Sequence, residues 1–233
     1  MASFYACDNR SRKELDGLKP IPGYCIFIDL VDSVALKKEG LGAWCDVMYN
    51  LIATAMSFLR DVKGEAANAE CENPLLRPTG LPPLKVMGDC LMFYVPKRLM
   101  PRDTNALNIF CPLVNIIRVP KGTTNGMRPE VHIGVTSCQN AYELTFVEGT
   151  EGFHGKDIDL AARLLKEATS REVVMNDLFY LEAECAFRNL RSAKNVFGEE
   201  DAITQWENVQ GPWAKSIRGF SEPVQIYKWR GPN

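Results

Sequence analysis

Asp29 interrupts the apolar run YCIFIDLV (24–31), and Asp89 follows Gly88 at the corner of LKVMGDCLM (84–92). Gly88 suits a tight turn because glycine tolerates backbone angles that strain other residues. A carboxylate inside a strand is costly to bury unless a positive group neutralises it. If the two segments are neighbouring strands, both carboxylates emerge at one end of a sheet. There they match a hard divalent ion, since Mg²⁺ is held by one or two carboxylates plus substrate phosphates. Spacing alone leaves a second reading open, in which Asp89 is an ordinary turn residue and the two acids are unrelated. Asp159 and Arg163 stand four apart in DIDLAARLLKEA (157–168). They form either a solvent-facing ion pair, worth about 0.3–0.5 kcal/mol, or an arginine whose planar fork is aimed at a transferring phosphate.

The elements that must position these residues follow from periodicity. YCIFIDLV reads as a strand buried on both faces. From Leu41 to Arg60, the residues Trp44, Val47, Met48, Leu51, Ile52, Ala55 and Leu59 mark one face of a long helix. The Pro-, Gly- and acid-rich stretch 65–83 reads as a loop, followed by the hairpin around Gly88–Asp89. DTNALNIFCPLVNIIRVP (103–120) carries helical periodicity and an N-cap candidate, with Pro112 expected to bend it. EVHIGVTSC (130–138) alternates as a strand does, and AYELTFVEG (141–149) is expected as its hairpin partner. DIDLAARLLKEA predicts a helix, REVVMNDLFY (171–180) a short strand and a turn of helix, and EPVQIYKW (222–229) a closing strand. This order predicts an α+β sandwich with its helices on one face of the sheet. Residues 1–22 read as an N-terminal arm, and 23–233 as one domain.

Composition narrows the function. The 233 residues carry a net charge of −2, against a general nucleic-acid binder. No apolar run approaches the ~18 residues of a membrane span, and the N-terminus turns polar too early for a signal peptide. The eight cysteines, at positions 7, 25, 45, 71, 90, 111, 138 and 185, form no C-x-x-C pair. They are expected as reduced, mostly buried thiols of a cytoplasmic protein.

FIDLVDS (27–33), LKVMGDC (84–90) and GKDIDLAARL (155–164), in that order, resemble the catalytic domain of the class III nucleotidyl cyclases, and RGFSEPVQIYKW (218–229) resembles that family's closing strand. The resemblance spans about residues 23–230. It implies a ferredoxin-like βαββαβ core, extended by an extra hairpin and a terminal strand, working as a head-to-tail homodimer with shared active sites. Asp29 and Asp89, helped by the Leu30 carbonyl, would hold two divalent ions, Mn²⁺ or Mg²⁺. Phe27 would pack near the sugar. Arg163 would stabilise the transition state, and Asp159 stands where the family has a ribose-orienting asparagine. Each site would combine Asp29 and Asp89 of one chain with Lys85 and Arg163 of the other.

Departures from the family carry the substrate expectation. Lys85 is the adenine-type residue at one base-reading position, while the other, normally an Asp, falls at Gly152, which has no side chain. The usual DxxGST phosphate loop reads DLVDSV here. In these respects the sequence is similar to the stand-alone pyrimidine cyclases of the bacterial antiphage system Pycsar. A smaller base leaves room that Tyr49 could fill, although Tyr49 also reads as a core-edge tyrosine. His132 reads as a packed strand histidine, His154 as a loop residue, and Arg218 as a loosely aligned triphosphate contact. The expected activity is conversion of UTP to cyclic UMP and pyrophosphate, with a separate effector protein responding to the product. Cytidylate cyclase, adenylate cyclase and a degenerate nucleotide-binding regulator are the alternatives.

Overall fold

The structure is a computed structural model that describes residues 12–60, 83–100, 105–119, 129–147, 150–192 and 205–231. The loop expected at 65–83 lies outside the described residues apart from Pro83, as does the arm before residue 12. A short helix α1 (Arg12–Asp16) precedes β1 (Gly23–Leu30), α2 (Ser33–Glu39) and α3 (Leu41–Phe58). The hairpin β2 (Lys85–Met87) and β3 (Cys90–Pro96) leads to α4 (Ala106–Arg118) and β4 (Val131–Cys138). A second hairpin, β5 (Tyr142–Val147) and β6 (Thr150–His154), is followed by α5 (Lys156–Glu167), β7 (Glu172–Asn176) and α6 (Asp177–Ser192). The chain closes with β8 (Gln210–Lys215) and β9 (Val224–Arg230).

Seven strands form one sheet in the order β2-β3-β1-β4-β7-β9-β8. Each of its first four strands runs antiparallel to its neighbours, and they are connected as the ferredoxin-like βαββαβ core that the resemblance implied. β7 joins β4 in parallel, and β8–β9 extend that edge. β1 explains the layering. Its alternate residues Tyr24, Ile26, Ile28 and Leu30 enter a core with α3, α4 and α6. Cys25 and Phe27 point the other way, into a cluster with Ile158, Ala161 and Leu165 of α5. The helices therefore cover both faces, not one as expected from element order. A strand apolar on both sides demands that second cover.

Two further expectations are corrected. β5 pairs with β6 in a separate two-stranded sheet rather than with β4. Both edges of β4 are already taken, by β1 and β7, and the intervening turn is held elsewhere. The Asp157 carboxylate accepts hydrogen bonds from the Gln139 and Asn140 backbone N–H groups at 2.7 and 2.8 Å. α6, expected as one turn, runs 16 residues, and its Phe179, Ala183 and Phe187 fill the larger core. β8 and α2 were not anticipated. The helix α4 continues through Pro112, capped reciprocally by Asn105 and Asn108.

α5 reaches the sheet through a glycine. A Cβ on Gly134 of β4 would stand 2.6 Å from the Ala161 carbonyl oxygen and from the Leu165 nitrogen. Because both are backbone atoms, no rotamer change relieves the clash. Gly134→Ala is expected to push α5 off the sheet and to cost about 1–3 kcal/mol, in the range of overpacked cores. A thermal melt showing an unchanged midpoint would contradict this close packing.

Candidate active site

The two carboxylates meet at one end of the sheet. Asp29 of β1 pairs across from Cys90 of β3, and Asp89 precedes Cys90 in the hairpin turn. Gly88 takes φ 68° there, the left-handed region that the turn requires. Both charges reach the same thiol. Cys90 is pushed up to about 12, first by burial and then by the negative fields of Asp29 and Asp89. The Leu30 side chain is buried in the core.

Each carboxylate has a basic neighbour that sequence reasoning missed. His132 Nε2 lies 3.3 Å from Asp29 Oδ2. The signal was the strand register, which sets His132 directly opposite Asp29. An imidazole N–H at that distance can orient a ligating carboxylate. Lys37 Nζ lies 3.8 Å from Asp89 Oδ1 and 5.1 Å from the centre of the Trp44 ring. Its position depends on α2. Among the described residues, no cluster of three or more His, Cys, Asp or Glu side chains is arranged to hold a metal ion. The donor set present is a pair of hard oxygen ligands, which fits Mg²⁺ or Mn²⁺ completed by phosphate oxygens and water.

A second group gathers on the α5 face. Lys85 pairs with Met92, which pairs with Phe27, so all three share one side of the sheet. Phe27 is buried in the cluster beneath α5. The hairpin β5–β6 folds over this side, with Phe153 stacked on Tyr94 at 4.1 Å. It brings Gly152 against Lys85: a Cβ there would stand 3.1 Å from Lys85 Nζ and 3.0 Å from His154 Nε2. Burial and the Lys85 charge lower the His154 pKa, against an opposing pull from Asp159.

Arg163 lies elsewhere. Its guanidinium packs against Gly219, 3.4 Å from the position of a Cβ there, in the turn that also carries exposed Arg218. Among the described residues, Arg163 and exposed Asp159 form no ion pair with each other. Ile217 anchors that turn against Leu160 and Leu164 of α5. Tyr49 is 71% exposed. It projects from α3, whose buried residues pack on the sheet face opposite Lys85, so it does not line a pocket with Lys85 inside one chain.

No family model matches the sequence, and no curated protein matches it. Solved structures do. The chain superposes on the adenylyl cyclase CyaB from P. aeruginosa with a TM-score of 0.60 at 16% identity, covering 91% of this chain and 95% of that one. The guanylate cyclase domain of RhGC from Catenaria anguillulae, in complex with GTP, gives 0.59 at 13% identity, covering 91% and 98%. The guanylyl cyclase Cya2 gives 0.55 at 16% identity, covering 89% and 91%. The fold is that of a class III cyclase catalytic domain.

Within the class III fold, one departure of the sequence acquires a physical account. Asp32 stands where the family's phosphate loop has glycine, and it adopts φ 57°, ψ 29° at the start of α2. Aspartate is one of the few non-glycine residues that visit this region readily. Among the described residues, no helix is long and apolar enough to cross a membrane.

Proposed function

We propose that this protein is a nucleotidyl cyclase that closes UTP to 3',5'-cyclic UMP and releases pyrophosphate, as a homodimer with shared sites. The observation that carries the cyclase reading is the convergence of Asp29 and Asp89 on Cys90 at one sheet end. Two divalent ions held there by Asp29, Asp89 and the Leu30 carbonyl would acidify the ribose 3'-hydroxyl and grip the triphosphate. His132 orients Asp29, and Lys37, beside Asp89, would be placed to reach phosphate when Asp89 holds a metal ion. Arg163 of the other chain stabilises charge as the α-phosphate is attacked, and Asp159 faces the ribose. The remaining catalytic work is positioning.

The preference for UTP rests on Gly152. It lies against Lys85 yet offers no carboxylate to an adenine amino group. On this reading Tyr49 fills the spare volume from the partner chain, because in its own chain the sheet stands between it and Lys85. A pyrimidine messenger fits a role in bacterial antiphage defence with a separate effector.

The test is incubation of the pure protein with each labelled nucleoside triphosphate and Mn²⁺. Cyclic UMP is expected as the main product. A larger yield from ATP would return Lys85 to ordinary adenine selection, and cyclisation of none of the four, with nucleotide still bound, would favour a regulator.

A further inference from the structure

His154 and Lys85 present their polar tips to one point above Gly152, within 3.0 and 3.1 Å of where a Cβ would stand. Building on the cyclase reading, we propose that His154 is a specificity-determining residue that accepts a hydrogen bond from the ring N–H of the base while Lys85 donates to the adjacent carbonyl. The ligand edge recognised is an imide, a carbonyl beside an N–H.

The chemistry of the two groups selects that edge. An ammonium has three donors and no acceptor, so Lys85 rewards a carbonyl oxygen and repels an amino group. A neutral imidazole offers one acceptor nitrogen. Burial and the adjacent Lys85 charge favour the neutral ring, with Asp159 opposing. Uracil supplies a carbonyl and an N–H side by side. Cytosine and adenine place an amino donor beside a bare ring nitrogen, the reverse pattern, and leave both protein groups mismatched. Guanine shares the carbonyl beside an N–H but is larger and carries a further amino group for which Gly152 supplies no side-chain acceptor. β6 makes the arrangement possible. Its Phe153 is held on Tyr94, and the Tyr94 hydroxyl donates to the Ile21 carbonyl at 2.5 Å, so the strand bearing His154 is anchored to the sheet. Sequence reading placed His154 in a loop because β6 is short and its pairing with β5 is set by the rest of the fold.

The experiment measures binding of 3'-deoxy-UTP, 3'-deoxy-CTP and 3'-deoxy-GTP, which cannot cyclise, with Mn²⁺ present, alongside kcat/KM for UTP and CTP. The proteins are wild type, His154→Ala and His154→Gln. His154→Ala is expected to lower the UTP-over-CTP preference by about 10–100-fold, the usual cost of stranding one buried polar group. The amide of His154→Gln, which still offers an acceptor, should recover part of it. An unchanged UTP-over-CTP ratio in His154→Ala, or equal losses for both bases, would overturn the proposal. So would a wild-type preference for the guanine analogue that His154→Ala leaves intact. Failure of the cyclase reading looks different: wild type forms no cyclic product, whereas His154-dependent selection of 3'-deoxy-UTP persists in the binding measurement.

Discussion

Asp29→Ala and Asp89→Ala are each expected to lower UTP cyclisation by about 10³-fold or more, since loss of a ligand removes several kcal/mol of metal-borne charge stabilisation. Stability should change little. Both side chains are 27% exposed, at the sheet end rather than in the core, and their removal opens no cavity. Loss of Asp89 also leaves no isolated buried cation, because Lys37 is 42% exposed and has water as an alternative. Mn²⁺-dependent turnover measured beside a thermal melt checks both halves of the statement. Activity above a few per cent in a well-folded variant would remove the metal assignment. A collapsed melting transition would instead assign these carboxylates to the fold.

The second large effect is a rescue. Arg163→Ala alone should cost about 10²–10³-fold, as loss of one transition-state donor does, and Asp89→Ala alone should be inactive. Mixed after subunit exchange, the two are expected to recover about a quarter of wild-type turnover, since random pairing gives half heterodimers, each with one whole site of two. The geometry behind this is internal to one chain. Arg163 packs against Gly219, in the turn before β9, whereas Asp89 lies beside β3. β1, β4 and β7 separate β3 from β9, a distance of about 19 Å at ordinary strand spacing. On the proposed shared-site reading, Arg163 would meet the metal ligands of a second copy rather than those of its own chain. No recovery in a mixture shown by mass spectrometry to contain heterodimers would mean that each site is built within one chain.

The sequence by itself determined the parts whose signals are local. Gly88 marks a turn because only a residue tolerant of φ 68° fits it. The apolar residues flanking Asp29 in β1 mark a strand buried on both faces, and the 3.6-residue periodicity of α3 and α5 marks their buried sides. Tertiary structure decided everything that depends on which strand lies beside which. His132 meets Asp29 only because β4 pairs antiparallel with β1 in one register; a slip of one residue would turn His132 to the other face. β5 lost its expected partner because β7 occupies the edge of β4. Tyr49 is kept from the Lys85 of its own chain because α3 packs on the opposite sheet face, so only a second copy could bring the two together. Likewise His154 and Lys85, distant in sequence, converge at Gly152 only after the β5–β6 hairpin folds over β3. Periodicity records how one segment buries its own apolar face. Juxtaposition depends on long-range packing, where many residues together choose one arrangement and no single segment encodes it.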